Sequence, residues 1–266
     1  MKYRYYLSLL VPVKYEDDYI VEFIKFYLLQ GVEHFYLYDN DNEIPLNKTL
    51  ENYLDVCTIE VIKGEFAQSA AYKHWLKTYK HETKWIAIFD VDEFVLPKAN
   101  DTLLAFLKQN EKHDSIAINW KIFGNGKHES KPNGLVTESY LYSEGKQHAN
   151  YKCVTQTRAI KKLEHPHRPE LKAFKKVVNA KGNKIFGFEN HEYCLDIIQL
   201  NHYYSKSTEE YMKKLNRKRA DTGKTRIEHE ENHAWIFDEH IRTSVSFDSE
   251  LWDKYGSELK QMVSST

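Results

Sequence analysis

The sequence predicts an α/β fold, a mainly parallel sheet flanked by helices, and two observations carry that expectation. The first hundred residues alternate between strand and helix periodicity at the spacing of βαβ units. Each apolar strand in that stretch also runs into polar residues at its C-terminal end: Lys14, then Asp39 and Asn40, then Lys63, then Asp90 and Asp92. In open α/β sheets the ligand crevice lies outside the carboxyl ends of the strands. Four polar ends on one rim therefore point to a site.

Taken in order, YRYYLSLLVPV reads as a buried strand and DDYIVEFIKFYLLQG as an amphipathic helix ending at Gly31. HFYLYDND is a second strand, TLENYL a short helix and CTIEVIKG a third strand. AQSAAYKHWLKTYK is a helix, and KWIAIFDVDEFVL a fourth strand with a polar interruption. Asp101 is placed to cap the helix DTLLAFLKQN. Beyond it SIAINWKIFG, GLVTESYLYS, YKCVTQTRAI, KKVVNA and DIIQLNHYY read as strands that extend the sheet on the side of a second substrate. STEEYMKKLNRKRA opens on a capping-box pattern with Ser207 or Thr208 as cap, and SELWDKYGSELKQM is a C-terminal helical tail. With no repeat, low-complexity stretch or linker, residues 1–266 are expected to form one domain: a ligand-binding half over 1–100, a second-substrate half over 101–220 and a tail over 221–266.

Composition narrows the class. Hydrophobic residues make up 41% and charged residues 29%, which excludes wholesale disorder. A formal net charge of −1 gives no global reason to expect a nucleic-acid partner. The three cysteines, Cys57, Cys153 and Cys194, are scattered without a CxxC pair, which argues for a reducing compartment and against a zinc site. The apolar run at the start is too short for a membrane span, and the expected location is the cytoplasm, with weak docking to a membrane surface left open. The 19 tyrosines suit half-buried strands and sugar- or base-stacking surfaces alike.

The chemistry centres on IFDVDEF. Strand alternation would send Asp90 and Asp92 to one side and Val91 to the other. Two carboxylates so placed repel each other unless a cation sits between them, and their oxygens suit Mg²⁺ or Mn²⁺ shared with phosphate. In the later loop, Gly124 and Gly126 allow close backbone approach to a ligand, and Trp120 and Phe123 offer apolar faces to a sugar ring. Gln68 and Tyr72 share one helical face. Glu129 and Glu138 are candidate general bases, with His128, His165 and His167 behind them. The basic run KKLNRKRADTGKTR reads as a solvated helix face or a weak attraction to anionic lipid.

The blocks YDND (38–41), QSAAYKHWL (68–76), WIAIFDVDEF (85–94), NWKIFGNGKHES (119–130), GLVTESY (134–140) and NHYYSKSTEEYMKK (201–214) together resemble glycosyltransferase family 92 and its bacterial relatives. The resemblance implies a GT-A nucleotide-sugar fold and transfer of a sugar, galactose being the best-known donor sugar, from a UDP-sugar to a glycan or glycolipid hydroxyl with inversion. It implies that Asp92, and Asp90 directly or through water, hold the metal, and that His202 completes its coordination. Lys14, Asp39 and Asn40 would contact the nucleotide, and Gln68 and Tyr72 would border donor base and sugar. Lys206 and Lys213 would neutralise the leaving diphosphate, Trp120, Phe123, Gly124 and His128 would face the acceptor, and Glu138, ahead of Glu129, would be the base. Two other readings use the same residues: a metal-dependent phosphohydrolase or nucleotidyltransferase, and a non-catalytic nucleotide-sugar-binding module. An acceptor pocket with turnover separates transfer from both.

Overall fold

In the computed structural model, which describes residues 2–264 other than 65, 221 and 230–234, the parallel half appears as the sequence predicts. Its strands are β1 (Tyr5–Val13), β2 (His34–Asp39), β3 (Cys57–Val61) and β4 (Thr83–Ala87), joined by the helices α1 (Ile20–Leu29) and α2 (Ala67–Thr78). They lie side by side in the order β3-β2-β1-β4, every pair parallel. Period-two alternation sorts their side chains between two layers. Leu7, Leu9, Val11 and Val13 of β1 pack with Phe23, Ile24 and Tyr27 of α1, whereas Leu10 faces Ala71, Tyr72 and Trp75 of α2. Trp75 is wholly buried in that second layer, and its truncation to alanine would cost about 3–5 kcal/mol. Gly31, past the end of α1, has φ +82° and a backbone so close to Leu104 that a Cβ would lie 2.6 Å from that side chain.

The second half is mixed. The strands β5 (Glu93–Pro97), β6 (Ser115–Ile122), β7 (Tyr151–Gln156), β8 (Val177–Val178) and β9 (Ile198–His202) continue the sheet as β4-β7-β6-β9-β5, with β8 parallel beside the start of β6. β7 is antiparallel to both β4 and β6, and β5 antiparallel to β9, while β9 and β6 are parallel. Further helices are α3 (Leu103–Gln109), α4 (Thr208–Asn216), α5 (Trp235–Arg242) and α6 (Glu250–Ser264). The tail is part of the core: Leu251, Tyr255 and Leu259 of α6 join the cluster that holds β1 and α1. No helix among the described residues is long and apolar enough to cross a membrane.

Four local expectations are corrected. KWIAIFDVDEFVL is two strands, because the chain leaves β4 after Ala87, turns at Asp90–Asp92 with the Glu93 amide donating to the Asp90 carbonyl (2.9 Å), and enters β5 at the far edge of the sheet. GLVTESY is not a strand. Val136–Ser139 is one helical turn, its leading amides captured by the buried Glu22 carboxylate, which accepts from Val136 N (2.7 Å), Thr137 N (3.0 Å) and Thr137 Oγ1 (2.8 Å). Thr102, not Asp101, caps α3, its hydroxyl accepting from Ala105 N (3.1 Å). The basic run is not simply a solvated face, since Lys214, Arg219 and Arg226 line a cleft. The cap of α4 is Ser207, in a full capping box with Glu210.

Candidate active site

A cleft of about 540 Å³ opens at the carboxyl end of the sheet, where its two halves meet. Lys14 and Glu16 enter from the loop after β1, and Gln68 from α2. Asp90, Val91 and Asp92 arrive on the turn between β4 and β5, Trp120 and Ile122 on β6, and His202 on β9. His148, Asn150 and His167 come from loops beside β7, and Lys214, Arg219, Arg226 and Glu239 from the C-terminal segment. Asp90 and Asp92 thus share the cleft as expected, but a turn brings them there instead of strand alternation.

The two aspartates differ sharply in surroundings. Asp92 is buried: its Oδ2 accepts from Lys214 Nζ (2.8 Å), and its Oδ1 lies 3.4 Å from His202 Nε2. Burial alone would raise its pKa, but the Lys214 charge and His202 outweigh that and hold the carboxyl well below the usual range. His202 is pulled the other way, burial keeping its imidazole neutral against the attraction of Asp92, and its Nδ1 is buried with no hydrogen-bond partner. Lys214 also donates to the Tyr204 carbonyl (2.6 Å), over whose ring its ammonium sits at 4.5 Å.

Asp90 is 40% exposed at its side chain and takes a charge-assisted hydrogen bond from Lys152 Nζ (2.8 Å). Lys152 is wholly enclosed and also lies 3.4 Å from Glu93, itself wholly enclosed. Burial would lower the Lys152 pKa, yet Asp90 and Glu93 hold it raised; burial pushes the Glu93 carboxyl well up, with Lys152 opposing. The shorter contact assigns the cation to Asp90. Glu93 serves the turn instead, its Oε2 accepting from the Asp90 amide (2.9 Å). Sequence reading missed Lys152, Lys214 and Glu93: single charged residues inside apolar strands or basic runs carry no local signal of their distant partners.

Several expected site residues lie elsewhere. Asp39 does not line the cleft, because its carboxylate accepts from Asn42 Nδ2 (2.7 Å) and Leu46 N (3.0 Å) and so ties down the loop after β2. Asn40 is buried and donates to the Ile62 carbonyl (3.0 Å). Tyr72 is buried in the layer around Trp75, its hydroxyl accepting from Gln68 (2.9 Å). Phe123 is a core ring packed on Tyr203 at 4.8 Å. Gly124 does allow a close backbone approach, but to protein: a Cβ there would lie 2.5 Å from the His240 carbonyl oxygen of α5. His128 packs edge-on against Tyr140. Glu138 pairs with Lys260 of α6, and Glu129 is exposed, neither of them lining the cleft. Lys206 pairs with Glu16 (3.0 Å), and Lys213 with Glu209 (2.7 Å) on the outer face of α4. Lys14, Gln68, Asp90, Asp92, Trp120 and His202 are the predicted residues the fold brings together, joined by His167.

The donor set fits a divalent ion in its chemistry: an ionised Asp92 and a neutral imidazole with an orphaned ring nitrogen are oxygen and nitrogen ligands in their binding protonation states, and the partly exposed Asp90 adds carboxylate oxygens beside them. In this arrangement lysines neutralise both carboxylates, and no three His, Cys, Asp or Glu side chains among the described residues converge on one ion position.

The family model described as glycosyltransferase family 92 matches residues 10–241. No curated protein matches the chain. Among solved structures it is similar to S. aureus TarS 1-349, at 15% identity and a TM-score of 0.37 over 59% of this chain and 48% of that one. The same protein in complex with UDP-GlcNAc gives 14% identity and a TM-score of 0.38, over 59% and 46%. HddC from Yersinia pseudotuberculosis gives 11% and 0.38, over 65% and 90%. The chain spans about half the length of the TarS structures it matches.

Proposed function

The chain belongs to glycosyltransferase family 92, and from that premise we propose that this glycosyltransferase takes a sugar from a UDP-sugar and passes it to a hydroxyl of a glycan or glycolipid acceptor. The single observation that carries this is the cleft itself, where a paired-aspartate turn faces a set of cations and aromatic rings at the carboxyl end of the sheet. Asp92, with His202 beside it and Asp90 directly or through water, would hold Mn²⁺ or Mg²⁺, which when bound offsets charge on a diphosphate leaving group. Galactose is the donor sugar the family resemblance favours.

The chain's own residues divide the remaining work. Lys214, Arg219 and Arg226 line the cleft and can neutralise the diphosphate, a part expected of Lys206 and Lys213. Lys14 and Gln68, on the wall formed by the parallel half, would contact the nucleotide, and Trp120 would offer a ring face to a sugar. Proton removal from the acceptor needs a carboxylate inside the cleft. Besides the aspartates these are Glu16, held by Lys206 and near Arg217, and Glu239, paired with Arg242 on α5. Glu239 takes the role in place of Glu138 and Glu129.

The test is a screen of UDP-sugars with and without Mn²⁺, read by melting temperature and then by product formation with glycan acceptors. A donor at about 100 times its Kd stabilises by about 2.7 kcal/mol. Glu239→Gln should bind donor normally and lose transfer by about 10²–10⁴-fold. UDP release without a glycosylated product would move the protein to the hydrolase reading, and binding without turnover to the binding-module reading.

A further inference from the structure

A row of rings leads out of the cleft. His202, beside Asp92, lies 4.5 Å from Trp120, Trp120 4.8 Å from His167, His167 5.1 Å from His165, and His165 4.6 Å from Phe188. Neighbouring planes are inclined by 54°, 60°, 61° and 45°, so the row turns as it runs instead of forming one flat wall. His202, Trp120 and His167 line the cleft; His165 and Phe188 carry the row to the surface, where Phe188 is 53% exposed. The middle of the row and its outer end are fixed to the sheet through β7. His167 Nδ1 lies 3.1 Å from the Tyr151 carbonyl oxygen, and the Tyr151 hydroxyl donates to the carbonyl of Gly187, next to Phe188 (2.8 Å).

We propose that this row is the acceptor track, that the acceptor is an oligosaccharide of several sugars, and that His165 and Phe188 bind the sugars farther from the reacting end. The inference rests on the glycosyl-transfer reading of the cleft. A monosaccharide at the reacting position can cover Trp120 alone, whereas rings at successive spacings of about 5 Å beyond it are useful only to a ligand with successive rings of its own. Tilted apolar faces suit the C–H faces of pyranose rings, and polar Asn150 and His148 flank the inner end for hydroxyls. The imidazoles are neutral faces and not phosphate-binding cations: burial, reinforced by Lys152, lowers the pKa of His165, and it brings that of His167 down to about 3. The competing occupant is a lipid surface, since Phe174 and Phe186 are also exposed, with Lys184 over the Phe186 ring. Continuity with the reaction cleft favours the glycan.

The experiment compares the full chain with Phe188→Ala, His165→Ala and the double variant on an array of immobilised oligosaccharides of one to six sugars. UDP-dependent melting temperature is the control. The unchanged protein should retain chains of about three sugars or more in preference to monosaccharides. Each single variant should weaken retention about 2- to 10-fold and the double variant by tenfold or more, with the response to UDP unaltered. Equal retention by all variants, or no retained chain by a protein that does respond to UDP, overturns the track and leaves the cleft reading standing. Absence of any UDP response in the unchanged protein overturns the cleft reading, and the track with it. Binding to phosphatidylserine vesicles that the double variant loses, with glycan retention intact, assigns the row to lipid and overturns the proposal.

Discussion

The two halves of the sheet meet at one cleft but are put together in opposite ways. From β1 to β4 each strand pairs with a neighbour in its own stretch of chain, always in parallel, and sends few side chains into the cleft. From β5 to β9 the pairing is mixed and reaches across long spans: β5 finds its partner in β9, and β7 bridges β4 and β6. That second half and the segment after it supply Trp120, His148, His167, His202, Lys214 and Glu239. The regular half therefore sets the position of the rim, while the irregular half sets its chemistry.

The sharpest way to break this division is at Lys152, the buried cation of the bridging strand. Lys152→Met takes from Asp90 its charge-assisted hydrogen bond and from the enclosed Glu93 its neighbouring cation; solvent at the 40% exposed Asp90 screens part of the loss, so a cost of about 1.5–3 kcal/mol is expected. Chemical denaturation should register that loss; a change below about 1 kcal/mol would mean that the turn does not depend on β7. Next comes Asp92→Asn, which keeps shape and removes charge. Lys214 still donates to the Tyr204 carbonyl, so the fold should survive, while transfer falls by about 10²–10³-fold and Mn²⁺-dependent stabilisation by UDP-sugar disappears. Donor binding unchanged in that variant would sink the metal assignment.

The regular half offers a smaller, pH-dependent effect. His34 on β2 is stacked on Tyr5 at 4.4 Å and bonded to Thr58, and burial lowers its pKa from 6.5 to about 4. The unfolded chain therefore binds the extra proton between those values, so the contribution of His34 to stability is full above about pH 6.5 and is lost as pH falls towards 4. Unfolding free energies for His34→Gln across that window should show a flatter slope than the parent; an identical slope assigns the acid sensitivity elsewhere. The smallest effect is expected at Glu138. Its pairing with Lys260 is partly exposed, so Glu138→Gln should cost at most about 1 kcal/mol and change turnover less than about twofold. A stable, inactive Glu138→Gln would restore it as the base and remove Glu239.

How far the sequence could be read follows the same divide. β1 to β4, α1 and α2 were legible because burial in two layers writes period-two and 3.6-residue patterns into short segments, and the Asp-Val-Asp turn was legible from its position after an apolar strand. Asp39 was misplaced because a polar strand end looks alike whether it meets a ligand or, as here, caps the Asn42–Leu46 loop. Residues 134–140 alternate like a strand, but Glu22, more than a hundred residues earlier, captures their amides and imposes a helical turn. Lys152, Lys214 and Glu239 acquire meaning only from partners brought in by the tertiary fold, and Phe188 shows its place in the row of rings only once β7 has fixed Gly187.

The crossing between β4 and β5 has a consequence for synthesis. Strand β5 follows β4 after five residues, yet its hydrogen-bonded neighbour is residues 198–202, a hundred residues downstream. A chain emerging N-terminus first can complete β1 to β4 early, but Asp92 must wait for His202, whose neighbour Tyr203 donates its amide to the Asp92 carbonyl (2.8 Å), and then for Lys214. The parallel half is thus complete long before the cleft is, and a ribosome-bound fragment ending before residue 198 carries both aspartates without the groups that hold Asp92 in place.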